Sequence, residues 1–319
     1  MDYILENEYL KVTVTTWGAQ LKSVIRKCDG VEHMWQADKS HWGYHAPILF
    51  PFCGKIKDGM IEARGQHFEN LPQHGFARIG EHTLLQHTQN TVVLELRESE
   101  ATYAMWPYDF RLITTYRLAG DTVHHTLTVL NADNEPISFG IGYHPGFTIP
   151  FDDRHTYADY EFRFDTPQSP LCLNHQPGGL FQGNTYYLAY NTNTIPIDEN
   201  LFSNDSHCMV GLTAKTLGVY EKGTGRAVIC DIADFPYTLI WSKPGEPKFV
   251  CIEPWHSVPS AKDGDHNGST SPLPPPFAPV KAGPPPCPSP LPDNKIPTDS
   301  TGGNFSHISL NISDNTSIA

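Results

Sequence analysis

What most restricts the fold of this chain is its alternation of apolar and polar residues at period two, with no amphipathic helical stretch of three turns. Tyr9-Leu10-Lys11-Val12-Thr13-Val14-Thr15 reads this way, as do residues 91–97 and 110–118, because successive side chains of a strand face opposite sides of a sheet. Residues 123–130 follow across Ala119-Gly120-Asp121, a tight hairpin signal. Residues 217–221 and 227–232 flank Lys222-Gly223-Thr224-Gly225-Arg226, a second hairpin, and Phe249-Val250-Cys251-Ile252-Glu253 is a further short strand. The adjacent His124 and His125 must then point to opposite faces of their sheet. Strands without interleaved helices predict an all-β sandwich or barrel. The 319 residues, with 25 glycines and 28 prolines, suit one large, turn-rich domain whose core needs no covalent staples.

The pattern stops near Asn267. Residues 267–319 carry Pro272, Pro274, Pro275, Pro276, Pro279, Pro284, Pro285, Pro286, Pro288, Pro290, Pro292 and Pro297, with Phe277 and Phe305 as the only aromatics. Such a composition cannot organise a core, so the expected domains are a β-sandwich over 1–266 and a disordered, polyproline-biased tail over 267–319. The triplets Asn304-Phe305-Ser306 and Asn311-Ile312-Ser313 in that tail read as chance matches to a glycosylation signal.

A net charge of −13 argues against nucleic acid or an anionic membrane as a partner, since both attract basic surfaces. Seven cysteines are scattered with no CxxC pair, so neither a disulfide framework nor a zinc site is expected, and the thiols read as reduced and mostly buried. The first eight residues lack the basic and apolar regions of a signal peptide, and no apolar run is long enough to span a bilayer. The expected compartment is the cytoplasm.

Four polar clusters sit beside strands or turns: Pro47 to Lys55, Leu71-Pro72-Gln73-His74-Gly75-Phe76-Ala77-Arg78, Gly142-Tyr143-His144-Pro145-Gly146-Phe147, and Cys251-Ile252-Glu253-Pro254-Trp255-His256. Polar groups at strand ends beside Gly and Pro suit a rigid scaffold that presents them to a cleft. Glu253, between Ile252 and Pro254-Trp255, sits where desolvation raises a carboxyl pKa. Trp255, Trp241, Phe76 and Phe147 are candidates to stack on a sugar ring. Each cluster has a plainer alternative, for most of the 16 histidines are expected to be structural or solvated. His74, His144 and Glu253 could also hold a metal, but no pair at metal-motif spacing supports that, and no metal is expected.

Taken together, these segments resemble the aldose 1-epimerase family, in particular its LacX-like branch. Ordered agreement runs from Tyr3-Ile4-Leu5-Glu6-Asn7 and Trp17-Gly18-Ala19-Gln20-Leu21 through the four clusters, and includes Phe235-Pro236-Tyr237 and Ile240-Trp241-Ser242-Lys243-Pro244. The resemblance implies a galactose mutarotase-like β-supersandwich, a sugar substrate and no cofactor. It also implies Glu253 as base, His144 as acid and His74 as a sugar-binding histidine, with acid and base about a sugar's width apart. Lys55, Gln73, Arg78, Asp205 and Trp241 become expected sugar contacts, although a turn aspartate is an equal reading of Asp205.

Two departures stand out. Lys55 falls where the family commonly has arginine, which keeps the charge and loses the bidentate fork. The family also closes with a further strand after the Glu253 motif, and here proline-rich sequence follows. The tail is therefore expected to be foreign to the domain, through a shifted frame or altered splicing, leaving a bare sheet edge. Besides aldohexose anomerisation, three readings stay open: a hexose-6-phosphate 1-epimerase, a sugar sensor without turnover, and a scaffold acting through its proline tail.

Overall fold

The computed structural model describes residues 1–266, 280–282 and 304–314. Two large antiparallel sheets carry the fold. The first has nine strands in the order Thr192–Pro196, Tyr160–Gln168, Thr216–Glu221, Arg226–Asp231, Asn304–Asp314, Thr122–Asn131, Phe110–Ala119, Thr91–Arg97 and Thr83–His87. The second has eight, in the order Thr185–Tyr187, Leu171–Leu173, His207–Val210, Tyr237–Trp241, Phe249–Trp255, Gly142–Tyr143 and Ile48–Leu49, with Gly146–Thr148 also pairing with Phe249–Trp255. The only α-helix among the described residues is Glu100–Tyr103, capped by Ser99.

Period two decides which residues enter the core. Phe110, Leu112, Tyr116 and Leu118 are buried on one strand, and Val123, Leu127 and Val129 on its hairpin partner. They pack with Ile240, Val250 and Ile252 of the second sheet and with Phe50 and Phe147 in one continuous core. Each fully buried side chain of this size contributes ~1.5–3 kcal/mol. His125 is buried and stacks on Tyr116 at 4.0 Å, while His124 faces the other way, 3.0 Å from the Ser309 hydroxyl. Phe249–Trp255 is buried at every position and pairs from Cys251 to Trp255 with Tyr237–Trp241, so the second sheet presents its polar groups from a rigid centre.

The expected loss of the closing strand is corrected by Asn304–Asp314. It lies antiparallel between Thr122–Asn131, in register from Thr122↔Asn311 to Val129↔Asn304, and Arg226–Asp231, from Arg226↔Asp314 to Cys230↔Leu310. Leu310 is 3% exposed and belongs to the main core. The physical reason is hydrogen-bond satisfaction: without this strand both neighbours would present unpaired backbone groups, and the strand answers both. Residues 304–314 thus take a place in the first sheet alongside strands of the domain expected over 1–266. Val280–Ala282 also pairs, with Ile137–Phe139. The tail expectation for 267–279, 283–303 and 315–319 lies outside the described residues.

Candidate active site

His144 stands between Gly142–Tyr143 and Gly146–Thr148, two short strands that both pair with Phe249–Trp255, the strand that carries Glu253. Gly146 is needed for close approach, since a Cβ there would lie 2.8 Å from the Trp42 ring. That approach lets Trp42 stack on His144, with ring centroids 4.9 Å apart. His74 enters from a loop whose backbone is left-handed at two successive residues, φ +67 at His74 and +71 at Gly75. Gly75 cannot be another residue without rearrangement, because a Cβ would lie 2.1 Å from the Phe50 carbonyl oxygen. In return the His74 N–H donates to the Gly54 carbonyl, and the Gly54 N–H donates to His74 Nδ1 at 3.0 Å. An accepting Nδ1 leaves the ring proton of neutral His74 on Nε2.

All eight residues singled out from sequence line one cavity of about 320 Å³: Lys55, Gln73, His74, Arg78, His144, Asp205, Trp241 and Glu253. That volume is at the small end of the ~300–1,000 Å³ typical of ligand sites. Asp205 is more than a turn residue. Its carboxylate accepts from Trp241 Nε1 at 2.6 Å and from Gln176 Nε2 at 2.8 Å, which fixes both carboxylate oxygens and the indole. Arg78 lies over the Tyr44 ring at 4.8 Å, with its Nε buried and without a hydrogen-bond partner. Lys55 is exposed at the mouth, donating to the Gly178 carbonyl.

His144 Nε2 and Glu253 Oε2 are 3.3 Å apart, with side chains only 8% and 2% exposed. This corrects the expected sugar-width separation. Burial pushes the Glu253 carboxyl well above its usual range, helped by the charge of Asp205. Burial likewise brings His144 down to about 3, helped by the charge of Arg78. Both shifts disfavour the ionic form, so the pair rests as a neutral carboxyl beside a neutral imidazole, and contact does not become a salt bridge. His74 is held well below its ordinary value by burial, then by His144 and Arg78. It too is neutral.

The metal alternative finds a different set from the one weighed in the sequence: His144, Cys251 and Glu253 bring donor atoms within 4.8 Å of one another. Burial disfavours the thiolate of Cys251 and the carboxylate of Glu253, the forms that bind a metal. Of the aromatic candidates, Trp241 and Trp255 line the cavity, whereas Phe76 and Phe147 are core residues, because their side chains fall on the inward face. Trp42 and His175 line it and were missed. Neither stands beside a recognisable motif; the available signal was only that His175 precedes a Pro-Gly-Gly turn.

Residues 1–266 match the aldose 1-epimerase family. This chain belongs to it. The plasmid-encoded and chromosomal LacX proteins of Lactococcus lactis subsp. lactis are each 32% identical to it over 262 residues, covering 80% of this chain and 87% of theirs. A galactose mutarotase related enzyme from Lactobacillus acidophilus superposes with a TM-score of 0.87 at 26% identity, over the whole of both chains. A galactose mutarotase-like protein from Lactobacillus casei gives 0.84 at 22% identity, over 98% of this chain and all of that one, and bears on the fold alone. As a family member the chain is an isomerase of the aldose 1-epimerase type that acts on a sugar, built on the galactose mutarotase-like sandwich. No helix among the described residues is long and apolar enough to cross a membrane.

Proposed function

We propose that the cavity interconverts the α and β anomers of an unphosphorylated aldohexose, with Glu253 as base, His144 as acid and His74 as a sugar-binding donor. The observation that carries this reading is the 3.3 Å contact between two buried groups whose affinities for a proton are displaced in opposite directions. Glu253 and His144 share one proton at rest. Moving it from carboxyl to imidazole gives carboxylate and imidazolium, the pair that ring opening requires, with no proton taken from solvent. A sugar that enters with its anomeric hydroxyl at Glu253 and its ring oxygen at His144 supplies hydrogen bonds that stabilise this ionic arrangement.

The carboxylate then removes the anomeric proton, the imidazolium protonates O5, and the C1–O5 bond breaks to leave the open-chain aldehyde. Rotation about C1–C2 and reclosure with both transfers reversed yields the other anomer and regenerates carboxylate and imidazolium, and return of the proton from imidazolium to carboxylate restores the resting pair. Each positioned acid or base contributes ~10²–10⁴-fold. Trp42 and Trp241 offer apolar surfaces beside the reacting groups, Asp205 holds the Trp241 indole, and Arg78, Gln73 and Lys55 face the sugar hydroxyls.

Arg78 and Lys55 are also the cations a 6-phosphate would use, so the unpartnered Arg78 Nε supports a hexose-6-phosphate substrate as the second reading. Polarimetry on freshly dissolved α-glucose, α-galactose and α-glucose-6-phosphate separates the two. Faster anomerisation of the free sugars is expected; acceleration of the phosphate alone replaces the substrate, and tight binding without acceleration makes the protein a sensor. We place the protein in the cytoplasm, a reading supported by the free thiols of all six described cysteines.

A further inference from the structure

The strands Leu171–Leu173 and Thr185–Tyr187 are joined by a loop, residues 174–184, that closes one side of the cavity. It is pinned rather than loose. The Gln182 N–H donates to the Asn174 carbonyl at 2.9 Å, and the Phe181 N–H to the Ser260 carbonyl at 3.0 Å. Gln176 reaches Asp205, and Lys55 reaches Gly178, so the loop is tied to two residues of the proposed sugar site.

This loop sends His175 into the cavity wall. His175 is 5% exposed, lies edge-on to Phe181, and leaves its Nε2 buried without a hydrogen-bond partner. Burial alone brings its pKa down to about 4, so near neutral pH the ring is an uncharged donor and acceptor. Three side chains lining the cavity carry such an unpartnered buried atom: His144, Arg78 and His175. Arg78 has a role in the reading above, and His144 acts there through its other ring nitrogen, Nε2. His175 has none. A buried polar atom left unpaired in a native protein calls for an explanation, and a rigid loop that holds it at a ligand cavity supplies one.

We propose that His175 hydrogen-bonds one ring hydroxyl of the bound sugar and so helps to set which aldohexose the enzyme accepts. This rests on the reading of the cavity as a sugar site. His175 takes no part in proton transfer; it selects, because a site built around a hydroxyl penalises a sugar that lacks it or carries it on the other face.

The test measures kcat/KM and affinity for glucose and its 2-, 3-, 4- and 6-deoxy derivatives with wild type, His175→Ala and His175→Asn. Affinity is read from tryptophan fluorescence, since Trp42, Trp241 and Trp255 line the cavity. His175→Ala should lower kcat/KM and affinity for glucose ~10–100-fold, with Asn recovering most of the loss. For one deoxy sugar, wild type and His175→Ala should be equal, because the hydroxyl in question is already gone. If Ala does not fold, His175→Phe keeps the ring volume without its nitrogens and is read the same way. A variant within twofold of wild type on every sugar, or one that loses the same factor on all of them, overturns the assignment while leaving the catalytic reading intact. Wild type that neither binds nor turns over any of these sugars overturns both.

Discussion

At the scale of residues, the account turns on one proton held between Glu253 and His144. The competent state is the pair with a single proton, so activity falls when the pair gains a second or loses its last. His144 takes the second only near its lowered value of about 3, and Glu253 gives up the last only above its raised one. The kcat/KM profile, which reports the free enzyme, should therefore stay flat well below pH 6.5, with its basic limb displaced above the ordinary carboxyl range; an acid limb at 6–7 would mean that His144 titrates as an ordinary histidine. Much of the lining of the cavity was legible beforehand. Each of Glu253, His144 and His74 sits in a motif with Gly or Pro beside it, and the flanking apolar residues already announced desolvation at Glu253. The 3.3 Å spacing was not legible, because it arises from two strands brought side by side, and nothing local encodes it.

At the scale of elements, the last strand is the instructive case. Proline enrichment around it masked a short alternation, Ile308-Ser309-Leu310-Asn311-Ile312, that carries the strand signal found elsewhere in the chain. The strand completes its sheet by pairing with neighbours roughly 80 and 180 residues away in sequence, which no local composition reports. Because Leu310 is a core residue, Leu310→Ala should cost ~2–5 kcal/mol in chemical denaturation. Ending the chain at residue 303 should be worse, giving aggregation or loss of cooperative unfolding, since two strands lose their pairing at once. A truncated protein that unfolds at the same denaturant concentration as the full chain would show that the strand is dispensable. The hairpins, by contrast, were readable in full. Ala119 and Thr122 pair across a two-residue turn where the sequence placed one.

At the scale of the whole molecule, catalysis and stability pull in opposite directions. Glu253 binds its proton more tightly folded than unfolded, so its contribution to stability is complete below about pH 4.5 and is lost as pH rises through its folded value. His144 binds its proton less tightly folded, so its contribution is complete above 6.5 and is lost as pH falls towards about 3. Glu253→Gln imitates the protonated carboxyl at every pH. Its melting temperature should exceed that of wild type by ~2–4 °C or more at pH 8, and the gain should vanish at pH 4. Such a rise would mark a site kept at the expense of the fold that houses it.

The same variant tests the central claim most directly when its rate is measured. Exchange NMR on equilibrated glucose and galactose follows both anomers of each sugar at once and gives the enzyme-catalysed interconversion rate with and without the carboxyl at position 253. The account predicts acceleration by wild type and a loss of at least ~10²-fold in kcat for Glu253→Gln, with the fold intact. Glu253→Gln exchanging the anomers within tenfold of wild type would contradict it, and would place the proton acceptor elsewhere in the cavity.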